Sequence, residues 1–373
     1  MFAFGIEHEV ALLDRNGDFV DWTTTTFAEL EAVVANLPLY ETDYPQLRVG
    51  DAGIKRKRWY IEGFERYDAF GQSTICLPKG IEIRTTIHPT ILGAVDELTR
   101  SFHLLAHEAR AHGFTPALTS FHPYLTAFTP GPPLNAYEQQ RRLQSPEKRT
   151  AFLPMLTHGP DLNLSLHGLS PSELIDLGRK LTYYSSYIIP FSFSSPFSAG
   201  ALWEGLSVRT WRRTGARPAA LVFVAQPTEL IASDPSLTKL ARIPREAGRI
   251  EFKACDSCAD FTLYAALLAL LKGVVLDTTL EGRATVPDVA LHQLSARQGW
   301  THDAILTGTR LVLQAAEQAL RTDSTSAPDV SLLAPLWTML EQQTTPAHAL
   351  VQAFRNTGSI EMALRSMYTL HES

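Results

Sequence analysis

"FGIEHEVALLD", residues 4–14, decides how the rest of the chain is read. Successive side chains of a strand point to opposite faces, so Phe4, Ile6, His8 and Val10 share one side and Glu7 and Glu9 the other. Taken alone, such a strand is what any antiparallel sheet with one dry and one wet face presents. The fold and the chemistry turn on whether other strands carry the same kinds of residue on the same side.

Three other segments do. In "KGIEIRTT" (79–86), Ile81 and Ile83 oppose Glu82 and Arg84. In "GPDLNLSLHG" (159–168), Leu162, Leu164 and Leu166 oppose Asp161, Asn163, Ser165 and His167. In "GRIEFKACD" (248–256), Ile250 and Phe252 oppose Arg249, Glu251 and Lys253. An ordinary wet face favours Thr, Lys and mixed long polar chains, whereas here acids, an amide and basic groups recur. Glu7, Glu9, Glu82, Asn163 and Glu251 gathered on one sheet face would repel unless cations neutralised them. Oxygen-only ligands suit magnesium or manganese rather than zinc, and two ions about 4 Å apart can clamp a phosphoryl group in transfer. Arg84, Arg249 and Lys253 share those faces. "EGLSVRTWRRTG" (204–215), read as a further strand, adds Ser207, Arg209 and Trp211 on one side. Guanidinium groups grip phosphates and carboxylates by paired hydrogen bonds, so a nucleotide site is expected. Metal-dependent hydrolases use similar acids, and that reading stays open at this point.

The remainder bounds the answer. With 373 residues the chain is long for one compact core and short for three. Its 33 Lys and Arg against 39 Asp and Glu cannot build a dominant basic surface, which argues against a nucleic-acid partner and for small molecules. "LYAALLALLKGVVL" (263–276) is too short to span a membrane and is read as a buried core helix. No secretion-signal pattern opens the sequence, so the cytoplasm is expected. Cys76, Cys255 and Cys258 form no disulfide framework; Cys255 and Cys258 have C-x-x-C spacing, but no matching second pair follows, and they are read as unpaired thiols. Apolar steps of three and four predict a helix over 89–113, stopped by Gly113. Further helices are expected at 170–186, 260–277, 302–321, 329–343 and 346–368. The chain therefore divides into an α+β catalytic part, 1–300, and a helical C-terminal region, 301–373, packed on the same domain. "RVGDAGIKRKRWYIEGFERY" (48–67) concentrates Lys55, Arg56, Lys57 and Arg58 and is read as a solvated charged loop, with Asp51 and Glu62 as outside candidates for a metal. His8, on the apolar side, is expected in the core.

There is no G-x-x-x-x-G-K-[ST], no G-x-G-x-x-G after a strand, no G-x-S-x-G and no H-E-x-x-H. A nucleotide would bind through metals on a sheet face. "GIEHE", "KGIEIRTT", "FSFSSPFSAG" with "GLSVRTWRRTGARP", and "GRIEFKACD", in that order, resemble the glutamate–cysteine ligase family in its bacterial carboxylate–amine ligase branch, and most of all a cyanobacterial-like variant of it. The resemblance spans about residues 4–370. It implies a glutamine synthetase-like α+β fold: a curved, mostly antiparallel sheet with helices on its outer face and ATP and Mg2+ (Mn2+ fits as well) on its concave face. It implies that ATP phosphorylates the γ-carboxylate of glutamate and that an amine such as cysteine attacks the acyl phosphate, as in glutathione biosynthesis. By the same resemblance Glu7, Glu9, Glu82 and Glu251 are metal ligands, and Asn163 stands where many relatives carry a histidine. Lys253 stands where relatives have an arginine on the ATP phosphates. Arg84 and Arg209 hold substrate carboxylate or phosphates, and Ser207, Ser165 and Arg249 contribute to substrate and ATP binding. A different amine acceptor, a phosphohydrolase and a ligand-binding module remain as alternatives, and a homodimer is compatible with the architecture.

Overall fold

A computed structural model describes residues 2–43 and 58–368. The opening strand, β1 (Phe2–Leu13), is flanked by antiparallel neighbours on both sides. In chain order β2 (Trp59–Tyr67) and β3 (Ser73–Arg84) form a long hairpin, β4 (Thr115–Ala117) pairs with the end of β1, and β5 (Pro160–Leu166) lies on the other flank of β1. A two-stranded hairpin follows, β6 (Phe197–Ser198) and β7 (Ala201–Leu202). The main sheet is completed by β8 (Ala220–Val224), β9 (Thr238–Leu240) and β10 (Arg249–Phe252). Its order is β2-β3-β1-β5-β10-β8-β9, antiparallel throughout except for the β8–β9 pair. The fold is thus α+β with a curled, mostly antiparallel sheet, as expected.

One side of that sheet is dry for the reason the alternation gives. Ile6, Val10, Ile81, Ile83, Leu162, Leu164, Ile250 and Phe252 are buried in one cluster with the helices Ile91–Ala111, Pro171–Ile188 and Thr262–Leu276. The last of these is apolar on nearly its whole circumference and packs against the helix Asp303–Thr322, which shares this core, while Leu350, Ile360, Ala363 and Leu364 near the C-terminus pack in a second cluster with Ala11, Leu13 and Leu118. No described helix is long and apolar enough to cross a membrane. His8 sits on this dry side, hydrogen-bonded to the Tyr264 hydroxyl at 2.9 Å and the Tyr368 hydroxyl at 3.1 Å. It is a core histidine, as read.

Helix limits follow their caps. Thr90 caps Ile91–Ala111, and Gly113, at φ +84, takes the left-handed conformation that ends it. Ser170 and Glu173 form a capping box, with Pro171 in the first turn. Five readings need correction. Residues 329–343 are a 3-10 stretch, Ala327–Leu333, leading into the helix Ala334–Gln342, which has Pro335 in its first turn. The span 346–368 is two helices, Pro346–Thr357 and Ile360–Ser366, because Gly358 (φ +69) stops the first and Ser359 caps the second. The segment around Arg209 is a short helix, Val208–Arg213, not a strand: the Ser207 side chain accepts from the Thr210 N–H and starts it. His167 falls past the end of β5, in an exposed turn closed by Gly168 at φ +92. The charged segment read as a loop is strand from Trp59 onward, and Arg58 pairs with Asp43 at 2.8 Å and Glu97 at 3.0 Å. Asp51 and Lys55–Lys57 lie outside the described residues.

Candidate active site

Strand register brings the acids of the wet face together. Glu7 lies opposite Asp161 on β5 and Arg84 on β3; Glu9 lies opposite Glu82. Glu82 in turn faces Tyr60 across β2–β3, and Glu251 faces Asn163 across β10–β5. Two carboxylate groups result. Oxygens of Glu7, Asp161 and Glu251 lie within 4.8 Å of one another, and so do oxygens of Glu9, Glu62 and Glu82. Of the expected ligands, the structure gathers Glu7 and Glu251 in one group and Glu9 and Glu82 in the other. The third member of the first group is Asp161, on the same strand face as the expected Asn163, and that of the second is Glu62, an outside candidate in the sequence reading.

The groups are compensated differently. Lys253 forms an ion pair with Asp161 and donates to Glu251 at 3.0 Å, while Arg249 reaches Glu7 and Glu251, each at 3.5 Å. Burial would push the Glu251 carboxyl up, but Lys253 and Arg249 outweigh it and hold it down to about 2. Asp161, more affected by burial than by Lys253, is pushed up to about 6. Among the described residues the second group has one direct cation. A β-bulge between Glu62 and Gly63 leaves Lys79 without a strand partner and turns it onto the wet side. There its buried ammonium donates to Glu9 Oε1 at 2.8 Å and to the carbonyls of Pro154 and Thr157 at 2.8 and 2.7 Å. The other oxygen of Glu9 accepts from the Gly159 N–H at 2.9 Å. Glu82 and Glu62 are left crowded. Burial, then the charges of Glu7, Glu62 and Glu9, raises Glu82 well above the ordinary carboxyl range; burial chiefly raises Glu62 to about 7.

Two acceptor oxygens are orphaned here: among the described residues Glu82 Oε1 and Asn163 Oδ1 are buried without a hydrogen-bond partner, the Asn163 amide nitrogen being spent on the Asp161 carbonyl at 3.1 Å. Unpaired buried acceptors beside like-charged carboxylates are costly unless a cation satisfies them. An all-oxygen donor set with no thiol or imidazole fits a hard divalent ion. Glu9, Glu62 and Glu82 would hold one such ion, and Glu7, Asp161, Glu251 and the Asn163 oxygen another.

These groups line a cavity of about 1020 Å³. Lys239, Arg242, Arg245 and Arg249, the last stacked on Phe223 at 4.1 Å, line it, and so do Arg209, Arg213 and Arg217. Arg84 lies over the Tyr60 ring at 4.4 Å and, with Ser165, lines the cavity. Arg209 is pinned by the Lys253 and Ala254 carbonyls at 3.0 and 3.1 Å. Its guanidinium lies so close to Gly159 that a Cβ there would fall 2.2 Å from Nη2. Ser207, expected to touch substrate, does not line the cavity: it is fully buried and donates to Asp256 Oδ1 at 3.0 Å while capping the helix that carries Arg209. Tyr60, Lys79, Arg213 and Arg217 were not singled out as site residues, because only pairing and a bulge reveal them. The cysteines are buried and unbridged as read, and burial pushes the Cys255 thiol up to about 12.

No family model and no curated protein matches the sequence. Solved structures do share the fold. A bifunctional glutathione synthetase from Pasteurella multocida superposes with a TM-score of 0.59 at 13% identity over 99% of this chain and 52% of its own, so this chain spans about half its length. A glutamate–cysteine ligase from Francisella tularensis, in complex with AMP, gives 0.56 at 10% identity, covering 100% of this chain and 89% of that one. The ligase PafA, in its complex with the prokaryotic ubiquitin-like protein Pup, gives 0.53 at 9% identity over 97% and 71%. These are likenesses of fold.

Proposed function

We propose that this chain is an ATP- and magnesium-dependent carboxylate–amine ligase, with glutamate and cysteine as its default substrates. The observation that carries the reading is the pair of carboxylate groups lining one cavity together with two sets of guanidinium groups. That arrangement suits a reaction in which negative charge must be gathered, moved and released. Its fold likeness to a synthetase and two ligases agrees with it.

In the proposed reaction a carboxylate oxygen of the acid attacks the terminal phosphorus of ATP, ADP leaves, and an acyl phosphate forms. The amine then attacks the acyl carbon, phosphate leaves, and the nitrogen loses a proton. Bound magnesium would supply charge neutralisation for the phosphates. The chain's own groups do the rest. Lys239, Arg242 and Arg249 face the phosphates and Phe223 offers a flat apolar surface beside them. Arg84 and Arg209 orient the acid by paired hydrogen bonds. Lys253, held between Asp161 and Glu251, keeps a positive charge beside the transferring group, since the two acids outweigh burial and hold its ammonium above the ordinary lysine range.

The test is product identification by mass after incubation with ATP, magnesium, glutamate and a panel of amines. A γ-glutamyl amide is expected, with ADP release requiring both acid and amine. ADP release that needs no amine would identify a phosphohydrolase instead, and amides formed with other amines but not with cysteine would remove the default pair.

A further inference from the structure

Arg209 lines the cavity on a long, flexible stem, yet both ends of that stem are tied to one short segment, residues 253–256, that follows β10. The tip is bonded by the Lys253 and Ala254 carbonyls at 3.0 and 3.1 Å, and Asp256 Oδ1 stands 3.9 Å from Nη1. Among the described residues no other acid comes within ion-pair distance of Arg209. The base of the side chain is reached through two serines. The Arg209 N–H donates to Ser195 Oγ at 3.2 Å, and the Thr210 N–H to Ser207 Oγ at 2.9 Å. Both hydroxyls donate in turn to Asp256, Ser195 to Oδ2 at 2.8 Å and Ser207 to Oδ1 at 3.0 Å.

Asp256 is itself anchored. Its side chain is fully buried, and the Ser194 N–H donates to Oδ2 at 3.0 Å. Its own N–H donates to Ser192 Oγ at 3.0 Å, and the adjoining Ser257 carbonyl accepts from Ser194 Oγ at 2.7 Å. All three bonds to the carboxylate are donated to it, the pattern of an ionised acid. Burial raises its carboxyl, opposed by Arg209 and by these hydrogen bonds. A serine alone caps a helix adequately, so the cap does not call for a buried charge. A guanidinium that must be held in one orientation does, because a long side chain stays put only when its freedom is removed at both ends. The serines of "FSFSSPFSAG" and the acid inside the C-x-x-C spacing thereby share one task.

We propose that Asp256 is the positioning residue for Arg209, fixing the base of its side chain through Ser195 and Ser207 and the tip through its own charge. The contact of Arg209 with the acid substrate rests on the ligase reading; the fixation of its guanidinium by Asp256 does not.

Two measurements separate these claims. Isotope-edited NMR of the arginine side chains reports on the guanidinium directly, the Arg209 signals being assigned by their loss in Arg209→Met. In the wild type, bonds to both Nη groups should slow rotation about Nε–Cζ and keep two resolved Nη signals. They should merge in Asp256→Asn and in Ser207→Ala, which leaves the charge in place and keeps the test open should Asp256→Asn not fold, and they should stay resolved in Ser207→Thr. Near-UV circular dichroism identifies folded variants. Calorimetric binding of glutamate reads the consequence: Asp256→Asn should weaken it at least tenfold, Arg209→Met as much, and the double variant no more than Arg209→Met alone, because the two act through one group. Resolved Nη signals in folded Asp256→Asn or Ser207→Ala, or losses that add in the double variant, would overturn the inference. A wild type with two resolved Nη signals that merge in Asp256→Asn but with no glutamate binding would uphold it and remove the acid assigned by the ligase reading.

Discussion

Glu82 shows most directly what the site costs the fold. Its carboxyl is buried, has one unpartnered oxygen, and is raised well above the ordinary range by burial and by Glu7, Glu62 and Glu9. A carboxyl raised on folding binds protons more tightly in the native state, so it contributes stability that is lost as pH rises. Glu82→Gln should therefore stabilise the metal-free protein at pH 8 by about 1 kcal/mol, as replacement of strained site residues commonly does, while amide formation falls at least a hundredfold. Urea unfolding in chelator checks the first, ADP release the second; a less stable variant would contradict the crowding argument. His292 behaves in the opposite sense. It is buried between Ser185 and Thr214, and burial, helped by Arg213, depresses it to about 4 from 6.5. Below pH 6.5 the unfolded chain takes up a proton that the native chain refuses until near pH 4, so stability falls with falling pH. The slope of that contribution approaches about 1.4 kcal/mol per unit. Urea titrations at pH 7, 6 and 5 should show a shallower loss in His292→Gln than in the wild type. At this scale the alternation in "FGIEHEV" was enough to place Glu7, Glu9 and His8 on their proper sides. It could not rank Asp161 above Asn163, because which of two residues on one face meets Glu7 depends on cross-strand register.

Among elements, the β2–β3 bulge and the Ser207 cap do work that no residue pattern announces. The bulge sends Lys79 to Glu9. Lys79→Met would leave Glu9 without its cation and the Thr157 carbonyl without the lysine donor, and should destabilise the protein by about 3 kcal/mol, the usual consequence of removing one partner of a buried pair. A shift in the urea midpoint measures this, and saturating magnesium should recover part of the loss. Gly159 joins the same machinery from the start of β5: its N–H bonds Glu9, and its missing side chain leaves room for the Arg209 guanidinium. Gly159→Ala should displace Arg209 and raise the KM for the acid at least tenfold while changing Tm little; an unchanged KM would show that Arg209 does not touch substrate. Strands with strict alternation and helices with clear caps were readable from their residues. The segment around Arg209 was not, since "SVRTW" alternates as a strand would and only the serine's bond to the Thr210 N–H shows that a helix starts there. The strand from Trp59 was hidden by the lysines and arginines preceding it.

Across the whole molecule, charge is gathered into one band of cavity wall, where two groups of acids lie among lysines and arginines. A dry face of ordinary hydrophobic packing holds that band in place, which is why the fold was legible from alternation while the reaction needed the assembled site. The band makes one prediction about proton balance. With Glu62 raised to about 7 and Glu82 raised well above the ordinary carboxyl range, chiefly by burial, part of the Glu9–Glu62–Glu82 group is protonated at neutral pH. A divalent ion needs those carboxylates ionised, so its binding must release protons, and apparent affinity must rise with pH, by up to about tenfold per unit for each proton displaced. Calorimetric titration of magnesium or manganese at pH 7, repeated in buffers of different ionisation enthalpy, counts those protons directly. The expected result is a release near one proton that disappears in Glu82→Gln, together with thermal stabilisation of about 2.7 kcal/mol at a hundredfold excess over Kd. Metal binding with no proton release at pH 7 would mean that the carboxylates are already ionised and balanced by the cations around them, and the group's crowding would then lose its role as the driving force for taking up an ion.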